Sequence, residues 1–212
     1  SWPVVSWSSI DYYDNWKAQH YRMRDVFAPL ALGIAFKEDT LQFYTMSDHL
    51  EDRNNLLLTV QLIDFTTGKQ REIKEKVHAM ANTSNIVMTL AASSLLNESD
   101  KANKMIHAFL GDSRGNVISS KDYFFYWPNK LNLPETKIDT KVHYADGEYT
   151  IILSSCRLAK DVFVEIPVQG ARFSDNFINL LPGEKRTIVI RSPRLKAADR
   201  TPVTVKHIRE TY

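Results

Sequence analysis

The chain of 212 residues has a single cysteine, Cys156, so it can close no internal disulfide and offers no thiolate cluster to a metal. It lacks any run of about 18 apolar residues, which excludes a helix crossing a bilayer, and no charged opening segment leads into an apolar stretch, so no signal peptide is read in these residues. Charge of one sign is not in excess: 27 lysines and arginines are interspersed with 25 acids, and the chain carries no footprint for nucleic acid. Seven scattered glycines form no phosphate loop, and no Gly-x-Ser-x-Gly elbow presents an activated serine. The six histidines show no HExxH or His-x-His spacing. Neither a metal, nor a cofactor, nor a nucleic-acid or membrane partner is expected.

What is present is ordinary globular material, with 43% hydrophobic and 25% charged residues. The length suits two small domains better than one large one. Aromatics crowd the start, where Trp2, Trp7 and Trp16 account for three of the four tryptophans. From Asp14 to Phe27 the positions Trp16, His20, Met23 and Phe27 recur at helical spacing, with Asp14 as N-cap and Pro29 as the stop. A helix with that stripe must be covered, and the first sandwich downstream or a second copy of the chain, hence a homodimer, is the expected cover.

After Pro29 the period changes to two. Leu56, Leu58, Val60 and Leu62 alternate with Leu57, Thr59, Gln61 and Ile63, and Thr66-Thr67-Gly68-Lys69 turns the chain before a charged segment from Gln70 to Lys76. Ile86, Met88 and Leu90 form another set, Met105, His107 and Phe109 a third, and the turn over 111–116 leads to a last strand ending near Tyr126. The two prolines of Trp127 to Pro134 mark a boundary. Beyond it Asp146-Gly147 signals a hairpin, flanked by a strand at Lys137–His143 and another at Tyr149, Ile151 and Leu153. Val162, Val164 and Ile166, then Thr187–Ile190 and Val203–Ile208, continue the pattern. Short strands with turns every ten or so residues predict two β-sandwiches of immunoglobulin type. Cys156 closes the apolar run Ile151–Cys156 and is expected as a small buried hydrophobe.

No catalytic pair of carboxylates stands out. Glu165 lies in a strand and Glu184 in a turn, neither flanked in sequence by an apolar pocket that would hold a proton on it. Nothing in the sequence promises a concave site with convergent polar groups. In the stretch Phe173 to Glu184, Asp175 and Asn176 can bond their own backbone to hold a turn, Phe173 and Leu181 are expected in the core, and Pro182-Gly183 reverses the chain. The aromatic run Tyr123 to Trp127 could offer rings to a sugar, although alternation turns at most half of them outward.

The run Trp2-Pro3-Val4-Val5-Ser6-Trp7-Ser8-Ser9-Ile10-Asp11-Tyr12-Tyr13-Asp14-Asn15-Trp16-Lys17-Ala18-Gln19-His20-Tyr21 resembles the end of the catalytic barrel in β-mannosidases of glycoside hydrolase family 2. Independently, Phe173-Ser174-Asp175-Asn176-Phe177-Ile178-Asn179-Leu180-Leu181-Pro182-Gly183-Glu184 resembles a loop of their C-terminal immunoglobulin-like domain, and Leu158 to Phe163 and Asp122 to Phe125 fit the same pattern. The resemblance implies an all-β chain: a short helical remnant of a (β/α)8 barrel over 1–28, one immunoglobulin-like sandwich over 29–128 and a C-terminal one over 129–212. It implies a parent that removes terminal β-linked mannose with retention, through two barrel glutamates upstream of Trp2, so that no catalytic residue lies in this chain. The barrel of the same parent chain would be its partner, and β-mannoside oligosaccharides would reach it through the parent enzyme. Trp2 and Trp7 would then stand near the sugar or fill the gap between barrel rim and last helix. A carbohydrate-binding module without hydrolytic activity is the alternative. The resemblance leaves the compartment open, a periplasmic or secreted setting being the expectation for a bacterial parent.

Overall fold

A computed structural model of the chain describes residues 8–195 and 202–211. It forms two compact units, one from Asp25 to Asn132 and one that joins the residues up to Arg24 with those from Leu133 onward.

The first unit holds β1 (Leu30–Lys37), β2 (Thr40–Ser47), β3 (Arg53–Asp64), β4 (Gly68–Ala79), β5 (Thr83–Ala91), β6 (Lys104–Gly111) and β7 (Val117–Phe124). A three-stranded sheet in the order β1-β2-β5 faces a four-stranded one in the order β4-β3-β6-β7, and every pairing is antiparallel. Leu56, Leu58, Val60 and Leu62 of β3 point between the sheets beside Ile106, Ala108 and Leu110 of β6, and meet Leu41 and Phe43 of β2. Burying side chains of this size contributes roughly 1.5–3 kcal/mol each, which is what holds one sheet on the other.

Three features depart from simple alternation. The charged segment from Gln70 to Lys76 belongs to β4, an edge strand whose lysines and glutamates discourage pairing with another chain. In β5 the register slips between the pairs Met88↔Phe43 and Ile86↔Tyr44, leaving Val87 as an extra residue. That bulge keeps Met88 inside, packs Val87 on the core and turns Ile86 out to solvent, although Ile86 shares its parity with Met88. Gly33 lies opposite Tyr44, whose ring sits 2.3 Å from where a Cβ would be, so only glycine leaves room for it.

The second unit contains β8 (Asp139–Ala145), β9 (Glu148–Ser154), β10 (Ala159–Glu165), β11 (Arg172–Phe173), β12 (Ile178–Leu180), β13 (Lys185–Arg191) and β14 (Thr204–Lys206). A four-stranded sheet β11-β13-β9-β8 faces a three-stranded sheet β12-β10-β14. Ile151, Leu153, Ile188 and Ile190 from one sheet close on Val162, Val164 and Leu180 from the other. The hairpin at Asp146-Gly147 has positive φ at both residues, 52° and 81°, as a type I′ turn requires. Two expectations are corrected. Ile151, Leu153 and Ser155 are buried, so the next even position, Cys156, faces solvent instead of the core. In the 173–184 stretch it is Leu180, at the inward position of β12, that is fully buried, with Leu181 only half-buried beyond it.

The helix α1 spans Ala18–Val26, shorter than the expected 14–27. Asp14 is no N-cap: its φ of 66° puts it in a turn that precedes the helix. Met23 and Phe27 are exposed, at 39% and 73%, and the one buried side chain of α1 is Tyr21 at 3%. Tyr12 is exposed as well. The periodicity picked the wrong stripe: Tyr21 is the side chain that is covered, and the segment up to Arg24 packs with the C-terminal sandwich.

Candidate functional site

The segment from Ser8 to Arg24 is held by local turns and then by long-range contacts. The Asp11 carboxylate accepts hydrogen bonds from the backbone N–H of Tyr13 (2.8 Å) and Asn15 (2.9 Å) and from the Asn15 side chain (3.1 Å), an Asx turn that reverses the chain. Burial raises the Asp11 pKa, but these hydrogen bonds outweigh it and hold the carboxyl below its usual range, so it stays ionised at neutral pH. Ile10 bridges to Trp16 across the turn. The exposed tip then reaches the sandwich. Arg172 of β11 donates to the Asp14 carbonyl and carboxylate and lays its guanidinium 5.1 Å from the Trp16 ring centre, while the Gly170 N–H donates to Asn15 Oδ1 at 3.2 Å.

Along α1, Arg22 donates to the Phe177 carbonyl (2.9 Å), and Arg24 to the Ser174 carbonyl (2.6 Å) and the Asp175 carboxylate (3.1 Å). Tyr21 points inward, with its ring centre 6.0 Å from Phe177, which in turn stacks on Phe163 of β10 at 4.9 Å. Burial, seconded by the negative charge of Asp175, pushes the Tyr21 phenol up to about 12.

Asn176 organises this region. β10 and β12 pair at Val162↔Ile178, and two residues further the antiparallel register sets Val164 opposite Asn176. There the backbone ladder ends and the side chain takes over: Asn176 Oδ1 accepts from the Val164 N–H (2.9 Å) and Nδ2 donates to the Val164 carbonyl (2.8 Å). The substitution releases the 173–177 backbone to curl under α1, with Phe177 at a φ of 54° that a bulky residue adopts only under constraint.

Between this segment and β10 lies a cavity of about 810 Å³, lined by Asp11, Trp16, Gln19, Phe163, Glu165 and Phe173 among others. Nothing in the sequence pointed to it, and Glu165 is part of its lining. Glu184 is elsewhere, accepting from the Leu181 N–H (3.0 Å) and facing Arg186 (3.3 Å). Trp2 and Trp7 lie outside the described residues. Within the aromatic run, Tyr123 and Phe125 pack on the core of the first unit beside Phe36, Phe124 meets Phe65, and Trp127 alone stands out at 80% exposure. No group of three or more metal-ligating side chains is found among the described residues. Reading the sequence singled out Asn176 only as a turn former and gave Arg172 no role, because their partners are remote; the register of β10 against β12 was the missing signal.

Residues 39–128 match the family model of the mannosidase Ig/CBM-like domain, and residues 133–211 match the mannosidase Ig-fold domain. Fold and matches together define a tandem of immunoglobulin-like accessory domains from glycoside hydrolases. The β-mannosidase of Bos taurus is 25% identical over 88% of this chain and 22% of its own length, and β-mannosidase B of Aspergillus terreus is 22% identical over 98% and 26%. The crystal structure of a β-D-mannosidase from Dictyoglomus thermophilum superposes with a TM-score of 0.77 at 27% identity, covering 98% of this chain and 25% of that one. An exo-chitosanase from Amycolatopsis orientalis, at 18% identity over 95% of this chain and 28% of its own, shares the fold with a TM-score of 0.66. The chain belongs to the β-mannosidases of glycoside hydrolase family 2, in their C-terminal region, and spans about a quarter of the length of these relatives.

Proposed function

We propose that these residues are the C-terminal accessory and scaffold region of a retaining exo-β-mannosidase that hydrolyses terminal non-reducing β-D-mannose. The catalytic glutamates then belong to a barrel of the same parent chain, and the 212 residues alone have no hydrolytic activity. The observation that carries this reading is the match along 98% of the chain to one quarter of a β-D-mannosidase, domain after domain. The chemistry agrees. Retention needs two carboxylates about 5–5.5 Å apart, one holding a proton at neutral pH. Asp11 is held ionised, Glu165 is exposed, and Glu184 faces an arginine. In the parent, Trp2 and Trp7 would stand at the barrel face where the sugar ring binds.

The test is an aryl β-mannoside assay on the purified chain and on the whole parent enzyme. The chain should release no aryl alcohol above the blank while the parent turns over, and Trp2→Ala in the parent should raise KM more than it lowers kcat if that ring only binds sugar. Enzyme-dependent release by the chain alone would overturn the reading. The binding-module alternative on Tyr123 to Trp127 has less support, because Tyr123 and Phe125 are committed to the core.

A further inference from the structure

The cavity beside β10 has chemistry of its own. Of the side chains lining it, Gln19 and Glu165 make no hydrogen bond or ion pair among the described residues, so an amide and a carboxylate face it unengaged. Trp16 is fixed between Arg172 and His20, whose ring centre lies 4.2 Å away, and Phe163 is fixed against Phe177. These two aromatic walls are therefore braced before any ligand arrives, which lowers the entropy lost on binding. A volume of about 810 Å³ falls within the roughly 300–1,000 Å³ of small-ligand sites.

The lining decides the ligand class. Apolar aromatic walls suit a ring with C–H faces, and an amide and a carboxylate in one lining suit hydroxyls, one group donating and accepting and the other accepting only. Anions are disfavoured: Asp11 is ionised, Glu165 adds a second carboxylate, and Lys17 is the single cation of the lining. We propose that this cavity is a subsite for a neutral pyranose, a β-linked mannose unit held by Phe163, Gln19 and Glu165. The choice of mannose rests on the function proposed above; the pyranose class rests on the lining.

Backbone-amide NMR shifts of the whole 212-residue chain, titrated with a β-linked mannobiose, test it. Saturable shifts confined to 11–21 and 163–177, with a Kd of about 1 mM or tighter, are expected. Glu165→Gln should weaken binding about tenfold without altering the melting temperature, since Glu165 is exposed and has no partner among the described residues, and Phe163→Ala should weaken it at least as much. Absence of shifts at sugar concentrations on the order of 10 mM, shifts centred elsewhere, or an unchanged Kd in Glu165→Gln would overturn the subsite. Equal binding of cellobiose would overturn mannose as its ligand, and tighter binding of a glucosamine disaccharide would overturn a neutral one. A parent enzyme active on aryl mannoside while the chain shows no shifts would sink this subsite and leave the accessory reading intact.

Discussion

Both sandwiches set three strands against four, yet they complete their cores differently. The first does so with long strands of its own: β3 and β4 run to 12 residues each, and their inward side chains cover β2 and β5 without outside help. The second has strands of two or three residues at β11, β12 and β14, and where its ladder fails, side chains and an upstream segment take over. Asn176 replaces a backbone pair, Arg172 clamps Asp14, and Tyr21 enters from 155 positions upstream of Asn176's neighbourhood, as Arg22 does to Phe177. Strand length thus decides how much a sandwich depends on contacts that a strand pattern does not encode.

Removing residues 1–24 would break this contrast most severely. It takes Tyr21 from a buried site together with the Arg22 and Arg24 hydrogen bonds, and large aromatic truncations alone cost about 3–5 kcal/mol. Hydrogen exchange should then accelerate in β10 and β12 and stay slow in β3 and β6; equal acceleration in both units would show that the two are not separable. Asn176→Ala comes next. It strands the N–H and carbonyl of Val164, at about 1–3 kcal/mol for each buried group, and chemical denaturation should show a loss of roughly 3 kcal/mol in the second unit only.

Tyr21→Phe sharpens the comparison through pH. The phenol's ordinary value is 10.0 and its folded value about 12, so the folded state prefers the protonated form. The contribution is complete below pH 10 and is lost as pH rises from 10 to about 12, a fall of roughly 2–3 kcal/mol that Tyr21→Phe should abolish from the alkaline limb of the stability curve. An unchanged limb would mean that Tyr21 is not buried. Smaller still is Gly33→Ala in the first unit, where the Tyr44 ring must swing away at a cost of about 1 kcal/mol. The smallest is Cys156→Ser, which should leave stability within about 0.5 kcal/mol while abolishing rapid labelling by a thiol reagent.

Much of the fold could be read locally. The alternation of Leu56 to Leu62 and the Asp146-Gly147 turn carry their geometry within a few residues, and the structure agrees at both. Errors arose where a neighbour decided. Ile86 shares parity with Met88, and only the bulge at Val87, set by pairing with β2, turns it outward. The helix stripe through Met23 and Phe27 had the right period, but Tyr21 was chosen by the position of Phe177 and Asn176. The cavity was out of reach for the same reason, since Gln19 and Glu165 line one wall system from opposite ends of the chain.

That separation has a consequence on the ribosome. Arg22 is made 155 residues before Phe177, so at about 5–20 residues per second the N-terminal segment waits roughly 8–30 s for the surface that will hold it. In that interval the whole of Asp25 to Asn132 emerges, long enough for a sandwich of mostly sequential pairings to form within milliseconds to seconds. Order of birth therefore favours a finished first sandwich while Trp16 and Tyr21 still lack their contacts with Arg172 and Phe177, and a nascent chain stalled before Arg172 would have made neither.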